Sequence, residues 1–255
     1  MSHYYENKSG DIIPRHFVPV QSRPGESRPT RISDARKHGY YPSVTTVLGM
    51  LDKPALVNWK VEQHLKQAYN LAGSAGEGNF TEWMGEVKRK TEIELSKAPD
   101  AGSDVHKSLE MWFDGRLDFP LEHMDICEAV DESLCDSCGE QEWTSEKSFT
   151  HPLGFAGRTD LSSPGWVIDF KTKQTADKFK PGKMAYPEHA RQLAAYRIGL
   201  GLTNARCANV FICIEDGQVD FHEHGPETLT RAWETFSDLL RIWIREAEYT
   251  PGTPS

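Results

Sequence analysis

The chain has 255 residues, a net charge of −9, and 38% hydrophobic and 26% charged residues. This is ordinary globular composition, which excludes collagenous, low-complexity and wholly disordered chains. No apolar run approaches the roughly 20 residues a membrane helix needs, and the polar opening MSHYYENKSGDIIPRHF lacks the apolar stretch of a signal peptide. An intracellular, cytoplasmic protein with no membrane partner is therefore expected. Five cysteines, an odd number, argue against a secreted disulfide framework. The charge is unevenly spread: nine acids and no Lys or Arg lie between residues 122 and 146, whereas 171–183 hold five lysines against Asp177 alone. A polyanion can still be met locally despite the negative total.

Residues 1–40 carry Pro14, Pro19, Pro24 and Pro29, few apolar residues, and Arg15, Arg23, Arg28, Arg31, Arg36 and Lys37 against Glu26 and Asp34. They read as an extended, basic, proline-rich arm that either touches phosphate or stays solvated. Residues 41–255 read as a single domain ending in a helix. In Tyr41-Pro42-Ser43-Val44-Thr45-Thr46, Ser43 or Thr45 caps a short helix. Leu56, Val57, Trp59, Val61 and Leu65 form a helical apolar stripe. The glycine-rich 72–79 lacks the order of a phosphate-binding loop and reads as a linker. Helices follow at about 103–113 and 121–134, strands near 141–150, 154–162 and 165–172, a helix at about 185–200, and an apolar strand at 209–214. Asp216-Gly217 then turns the chain into 219–222, and an amphipathic helix covers about 226–247. This is an α/β chain in the order helix, three strands, helix, strand.

The chemistry concentrates between Gly154 and Lys173. Pro164-Gly165 is a turn signal, and reflecting the chain about it sets Asp160 opposite Asp169, where cross-strand Cβ atoms lie roughly 5 Å apart. Alternation puts Val167, Asp169 and Lys171 on one face of the second strand. Asp169 interrupts the apolar run Trp166-Val167-Ile168-Asp169-Phe170; a carboxylate buried there requires a partner or a metal. Two facing carboxylates with an ammonium two residues on suit a hard cation beside a positive group. The flanking helices add His106 and Glu110 at i, i+4, and His189, Gln192 and Tyr196 at i, i+3, i+7.

Gly102-x-x-x-His106, Gly157-x-x-Asp160, Asp169-x-Lys171-Thr172 and Gln192-x-x-x-Tyr196, in that order, resemble the PD-(D/E)XK nuclease superfamily. Within it they are similar to the RecB-type exonuclease branch, in the neighbourhood of phage exonucleases and the mitochondrial genome maintenance exonuclease. The resemblance spans about residues 41–215, and Asp169 stands where Glu is commoner. It implies a restriction-endonuclease-like core, a central mixed β-sheet flanked by helices in α-β-β-β-α-β order. It implies Mg²⁺ or Mn²⁺, as one or two ions, held by His106, Asp160, Asp169 and the Phe170 backbone carbonyl. Lys171 positions or activates water, Gln192 and Tyr196 line the site and touch the DNA backbone, and Lys173 and Arg158 are further substrate-binding candidates. Glu146, on the preceding strand, matches a less regular acidic position, and Glu110 and His189 are additional candidates.

The implied activity is a metal-dependent DNA exonuclease of phage or bacterial recombination, repair or genome maintenance. A restriction-type or structure-specific endonuclease, or a binding protein without catalysis, are the alternatives. Strand preference, polarity and oligomeric state are not legible. Exchanging Asp160 or Asp169 for Asn is expected to remove cleavage and, by relieving carboxylate repulsion, to keep or raise apo stability. His123, Cys127, Cys135 and Cys138 offer four zinc-type donors. Cys127, however, falls on the apolar stripe Leu121, Met124, Cys127, Val130, Leu134, so zinc is not expected. The CRISPR adaptation nucleases, a branch of the superfamily this chain resembles, hold an iron–sulfur cluster with one early cysteine and three near the C-terminus; no cysteine here precedes 127 or follows 213, so the resemblance does not imply a cluster.

Overall fold

The computed structural model describes residues 3–20, 25–51, 54–74, 80–116, 118 and 120–253. In chain order its elements are β1 (Tyr4–Lys8), β2 (Asp11–Pro14), β3 (Phe17–Pro19), β4 (Ser27–Pro29), α1 (Ile32–His38), β5 (Tyr41–Pro42), α2 (Val44–Leu48), α3 (Pro54–Asn70), α4 (Phe80–Phe113) and α5 (Met124–Cys138). They continue as β6 (Thr144–His151), β7 (Phe155–Ser162), β8 (Trp166–Lys173), α6 (Pro187–Gly199), β9 (Arg206–Cys213), β10 (Val219–His224) and α7 (Pro226–Ala247). Two compact units form: Met1–Met50 with His106–Ser255, and Leu51–Val105. The span 41–255, read from the sequence as one domain, thus contributes to both units. Among the described residues no helix is long and apolar enough to cross a membrane.

The first unit is built on a mixed five-stranded sheet in the order β10-β9-β8-β7-β6. β6 pairs antiparallel with β7 and β7 with β8, β8 and β9 are parallel across the α6 crossover, and β10 returns antiparallel to β9. Strand β8 is central, so Trp166–Phe170 are all buried, which is why its sequence is a near-continuous apolar run. Helices α2, α6 and α7 cover the sheet through Val44, Val47, Leu193, Leu229, Phe236 and Leu240, packed with Phe149, Phe155 and Val167. Helix α7 starts with Pro226 in its first turn and buries Leu229, Ala232, Phe236, Leu240, Trp243 and Ala247, a helical period that matches the predicted span. Ser43 caps α2, its hydroxyl accepting the Thr46 N–H at 3.0 Å. Cys127, Val130 and Leu134 on α5 are buried as the stripe predicted, but Leu121 lies outside that helix and is exposed.

The N-terminal forty residues are not an unpacked arm. β1 pairs with β2 and with β5, Tyr4, Tyr5 and Ala35 are buried, and α1 follows. Pro14, Pro19 and Pro29 sit at the ends of β2, β3 and β4, the strand positions that tolerate a missing N–H. Much of the basic charge is spent internally. Arg28 grips Asp34 through two bonds of 2.7 and 2.8 Å, Arg15 pairs with Glu6, and Arg36 donates to the Ala247 carbonyl at 2.6 Å. Arg23 and Pro24 lie outside the described residues.

In the second unit, α3 realises the predicted helix, yet Val57, Trp59, Val61 and Leu65 are exposed. The side chain of Leu56 lies outside the described residues. Ala72–Ser74 form a 3-10 turn, and the rest of the glycine-rich stretch, 75–79, is also outside them. Helix α4 begins well before the predicted 103, running through Pro99 and Gly102, which locally read as breakers.

Gly157 and Gly199 owe their identity to one ring. A Cβ at Gly157 would meet Phe149 Cζ at 2.7 Å and Tyr196 Cε1 at 2.8 Å, and one at Gly199 would meet Phe149 Cε2 at 2.0 Å. Gly157→Ala is therefore expected to lower unfolding stability by about 1–3 kcal/mol, the usual cost of overpacking. Gly165→Ala, whose Cβ meets nothing nearer than Gln141 Oε1 at 3.6 Å, is expected to stay within about 0.5 kcal/mol of the parent. Urea unfolding of the two variants side by side measures the difference, and equal midpoints would contradict it.

Candidate active site

A polar row crosses the sheet at one level. β6 pairs Ser145 with Leu161 and Lys147 with Thr159, which sets Glu146 level with Asp160. β7 pairs Leu161 with Ile168 and Ser162 with Val167, which sets Asp160 level with Asp169. Asp169 pairs with Asn209 on β9, and Asn209 with His222 on β10. The predicted reflection about Pro164-Gly165 is thus the observed register. The β7–β8 ladder, however, ends at Leu161–Ile168. Beyond it Asp160 Oδ2 accepts the Phe170 N–H at 2.7 Å, so a side chain takes over from the backbone.

Asp169 is 2% exposed, and each of its oxygens has a donor. Oδ1 accepts Gln192 Nε2 at 2.9 Å, and Oδ2 accepts Asn209 Nδ2 at 2.7 Å and lies 2.6 Å from Lys171 Nζ. Lys171 Nζ also donates to Gln192 Oε1 at 3.3 Å, and Gln192 Nε2 donates to the Tyr196 hydroxyl at 2.9 Å. Asn209 is held in turn by His224, whose Nε2 is 2.8 Å from Asn209 Oδ1. Sequence reasoning missed Asn209 and His224. The signal was there in Asn209, an amide interrupting the apolar strand Ala208-Asn209-Val210-Phe211.

Environment separates the two acids. Burial raises the pKa of Asp169, the Asp160 charge adds to this, and Lys171 opposes it. Burial also acts against the Asp160 carboxylate, but His106, Lys171 and the Phe170 N–H outweigh it and hold that pKa below the usual value. Lys171 is kept above its ordinary value because Asp169 and Asp160 overcome its burial. His106 Nδ1 stands 3.6 Å from Asp160 Oδ1, with its ring edge-on to Phe170 at 6.1 Å.

Glu146 is the strained member of the row, with φ at +47°. Arg158 Nε lies 2.5 Å from its Oε2, an ion pair without hydrogen-bond alignment, so that oxygen is buried with no hydrogen-bond partner. Burial pushes the Glu146 carboxyl up to about 7; Arg158 pulls it back, while Asp160 and Glu110 push further. The N-terminal hairpin supplies His3 and His16, their rings 4.4 Å apart, each lowered in pKa by burial with the Arg158 charge contributing. Histidines, rather than the arginines singled out in the sequence, are what this segment brings near Arg158.

Tyr196 is 6% exposed and packed against Phe149, and its hydroxyl accepts Gln192 Nε2. His189 is buried, and its Nδ1 accepts the Tyr186 N–H at 3.2 Å, capping α6 rather than joining the acids. Lys173 stands half-buried at the end of β8, its pKa lowered by burial and by Lys171 and Lys178.

Burial lowers both His189 and His224 to about 4, with Lys171 adding to the first and His222 to the second. Unfolded histidines take a proton near 6.5, and these two, when folded, only near 4. The stability carried by their neutral forms is complete above pH 6.5 and is lost as pH falls from there to about 4, by up to about 3 kcal/mol each. Urea midpoints at pH 7, 5.5 and 4 are expected to fall more steeply for the parent than for His224→Gln, which keeps a donor for Asn209. Parallel slopes would exclude His224 from the acid sensitivity.

Among the described residues no three His, Cys, Asp or Glu side chains converge closely enough to constitute a formed metal centre. The donor chemistry of Asp160, Asp169, Glu146 and His106 nevertheless suits a hard divalent cation, although Glu146 Oε2 already faces the Arg158 guanidinium at 2.5 Å. The cysteines offer less. His123 Nδ1 is 2.8 Å from the Ser108 hydroxyl, Cys127 is buried, and burial pushes the thiols of Cys127 and Cys138 up to about 11.

No family model and no curated protein matches the chain. Solved structures do match. One is a candidate exonuclease from Eubacterium rectale, at 13% identity and TM-score 0.38 over 56% of this chain and 66% of that one. Another is an alkaline exonuclease from Laribacter hongkongensis, at 18% identity and TM-score 0.34 over 48% of this chain and 66% of that one. This chain thus spans just under two thirds of the length of each.

Proposed function

We propose that this protein is a Mg²⁺- or Mn²⁺-dependent deoxyribonuclease of the PD-(D/E)XK superfamily, RecB-type exonuclease branch, hydrolysing phosphodiester bonds from DNA ends. The observation that carries it is the Asp160, Asp169 and Lys171 set on adjacent strands, with the Lys171 ammonium 2.6 Å from Asp169. Asp160, Asp169, His106 and the Phe170 carbonyl would hold the cation, with Glu146 as a further donor. When bound, the metal lowers the pKa of a coordinated water and screens the phosphate. The chain's own groups do the rest. Lys171 orients the attacking water and stabilises charge that develops on the phosphate. Gln192, held by Tyr196, fixes Lys171 and Asp169 at once; Asn209, held by His224, fixes Asp169 from the other side. Lys173 and Arg158 are the phosphate contacts. The motif resemblance is the support for a role in phage or bacterial DNA recombination, repair or genome maintenance.

End-labelled linear DNA and closed circular DNA, each incubated with Mg²⁺, Mn²⁺ or a chelator, test this. Linear DNA is expected to be degraded with either ion, circular DNA to survive, and the chelator to stop the reaction. Cutting of the circle would establish the endonuclease alternative, and retarded migration without cleavage would establish a binding protein.

A further inference from the structure

Away from the acid row, the first turns of α6 and α7 and strand β10 line an open cavity of about 370 Å³, bordered among others by Tyr186, Pro187, Arg191, His222, His224 and Arg231. We propose that this cavity binds a phosphomonoester of nucleotide size. Its volume lies within the usual range for small-molecule sites. Arg191 and Arg231 supply two guanidiniums, and among the described residues neither has a carboxylate partner. The nearby Asp220 carboxylate is engaged by the Gly182 N–H at 2.9 Å. Forked guanidiniums match phosphate oxygens in pairs. Tyr186 and Pro187 from the start of α6, and Thr228 from the start of α7, line the same space, so two helices of 13 and 22 residues present their N-terminal ends to it.

The rest of the lining fits the organic part of such a ligand. Tyr186 is 55% exposed and offers a flat face to a base, beside the apolar Pro187, Ala190 and Ala232. Thr228 and His222 offer hydrogen bonds to a sugar. His224 has Nε2 committed to Asn209, which leaves Nδ1 as its free ring nitrogen. The ligand class follows from this lining and stands whether or not the acid row cuts DNA. The phosphomonoester has two sources, a free nucleoside monophosphate or the phosphorylated end of a DNA strand.

The test is binding to the full chain, followed by amide chemical shifts and calorimetry, with deoxyadenosine 5′-monophosphate, deoxyadenosine and inorganic phosphate as probes. The monophosphate is expected to move the amides of Tyr186, His222, Thr228 and Arg231, and to bind about tenfold or more tighter than deoxyadenosine, the effect of a charge-assisted pair. The double variant Arg191→Gln, Arg231→Gln is expected to lose about tenfold or more of that affinity at an unchanged melting temperature. Arg231→Gln alone, at an exposed position, repeats the measurement if the double variant unfolds. Competition by a 5′-phosphorylated oligonucleotide at the same amides assigns the cavity to a strand end, and its absence assigns the cavity to the free nucleotide. Equal affinity for monophosphate and nucleoside, undiminished binding by the variants, or shifts confined to Lys171 and Gln192 would overturn the proposal.

Discussion

Asp169→Asn and Asp160→Asn are each expected to reduce DNA hydrolysis about 10³-fold or more, several kcal/mol of transition-state stabilisation, but to differ in what they do to the fold. The structure revises the sequence-based expectation that both keep or raise apo stability. Asp169 accepts from Gln192 and Asn209 and pairs with Lys171. An Asn there turns one oxygen into a donor facing a donor and strips the half-buried ammonium of its partner. Stability is expected to fall by about 3 kcal/mol, the low end of the cost of breaking a buried pair, because the Lys171 side chain remains 27% exposed. Asp160 accepts the Phe170 N–H, which the Asn carbonyl oxygen still accepts, and loses the longer charge contacts to His106 and Lys171, so its exchange is expected to cost about 1 kcal/mol. Single-turnover cleavage at saturating Mg²⁺ and Mn²⁺ and urea unfolding, both on the same preparations, check the two halves separately. Near-normal turnover in either variant removes the metal assignment; equal stability losses remove the asymmetry of the network.

Lys171→Ala is expected to lower turnover roughly 10²-fold or more while leaving calorimetric metal titration little changed, because the ammonium acts on water and on developing charge. The carboxylate it leaves behind still accepts from Gln192 and Asn209. Asp169 is expected to titrate at higher pH in the variant, since Lys171 is the main charge holding its pKa down against burial. Weak metal binding with normal turnover at high Mg²⁺ would reverse the roles and make Lys171 a support for the metal ligands.

Local rules carried far where one short segment contains all the information. Pro164-Gly165 is flanked by strands of matching length, so the register that sets Asp160 level with Asp169 follows from counting. Helix α7 was legible from end to end because its apolar period, its early Pro226 and its closing turn agree. A cap at Ser43 or Thr45 was legible too, and the structure takes Ser43. Asp169 announced itself by standing in an apolar run, and Asn209 stood in one just as plainly, yet an amide carries no charge to demand an explanation.

What remained hidden depends on partners distant in sequence. Residues 1–40 look unpacked because prolines and arginines dominate them, yet β1 finds its edge in β5 and Tyr4 its place in a core made by residues two hundred positions away. Whether α3 buries its apolar stripe is likewise not a property of its period, and Val57, Val61 and Leu65 stay exposed. Tyr196 shares a helical face with Gln192, as its spacing requires, but only the ring of Phe149, pressed into the space that Gly157 and Gly199 leave, decides that it is buried behind Gln192. Residue type, spacing and strand register by themselves determined which side chains could carry the chemistry, because those are short-range properties of the backbone. Which of them are exposed, which are held, and by whom was decided by tertiary packing, because burial depends on chain segments that no local pattern contains.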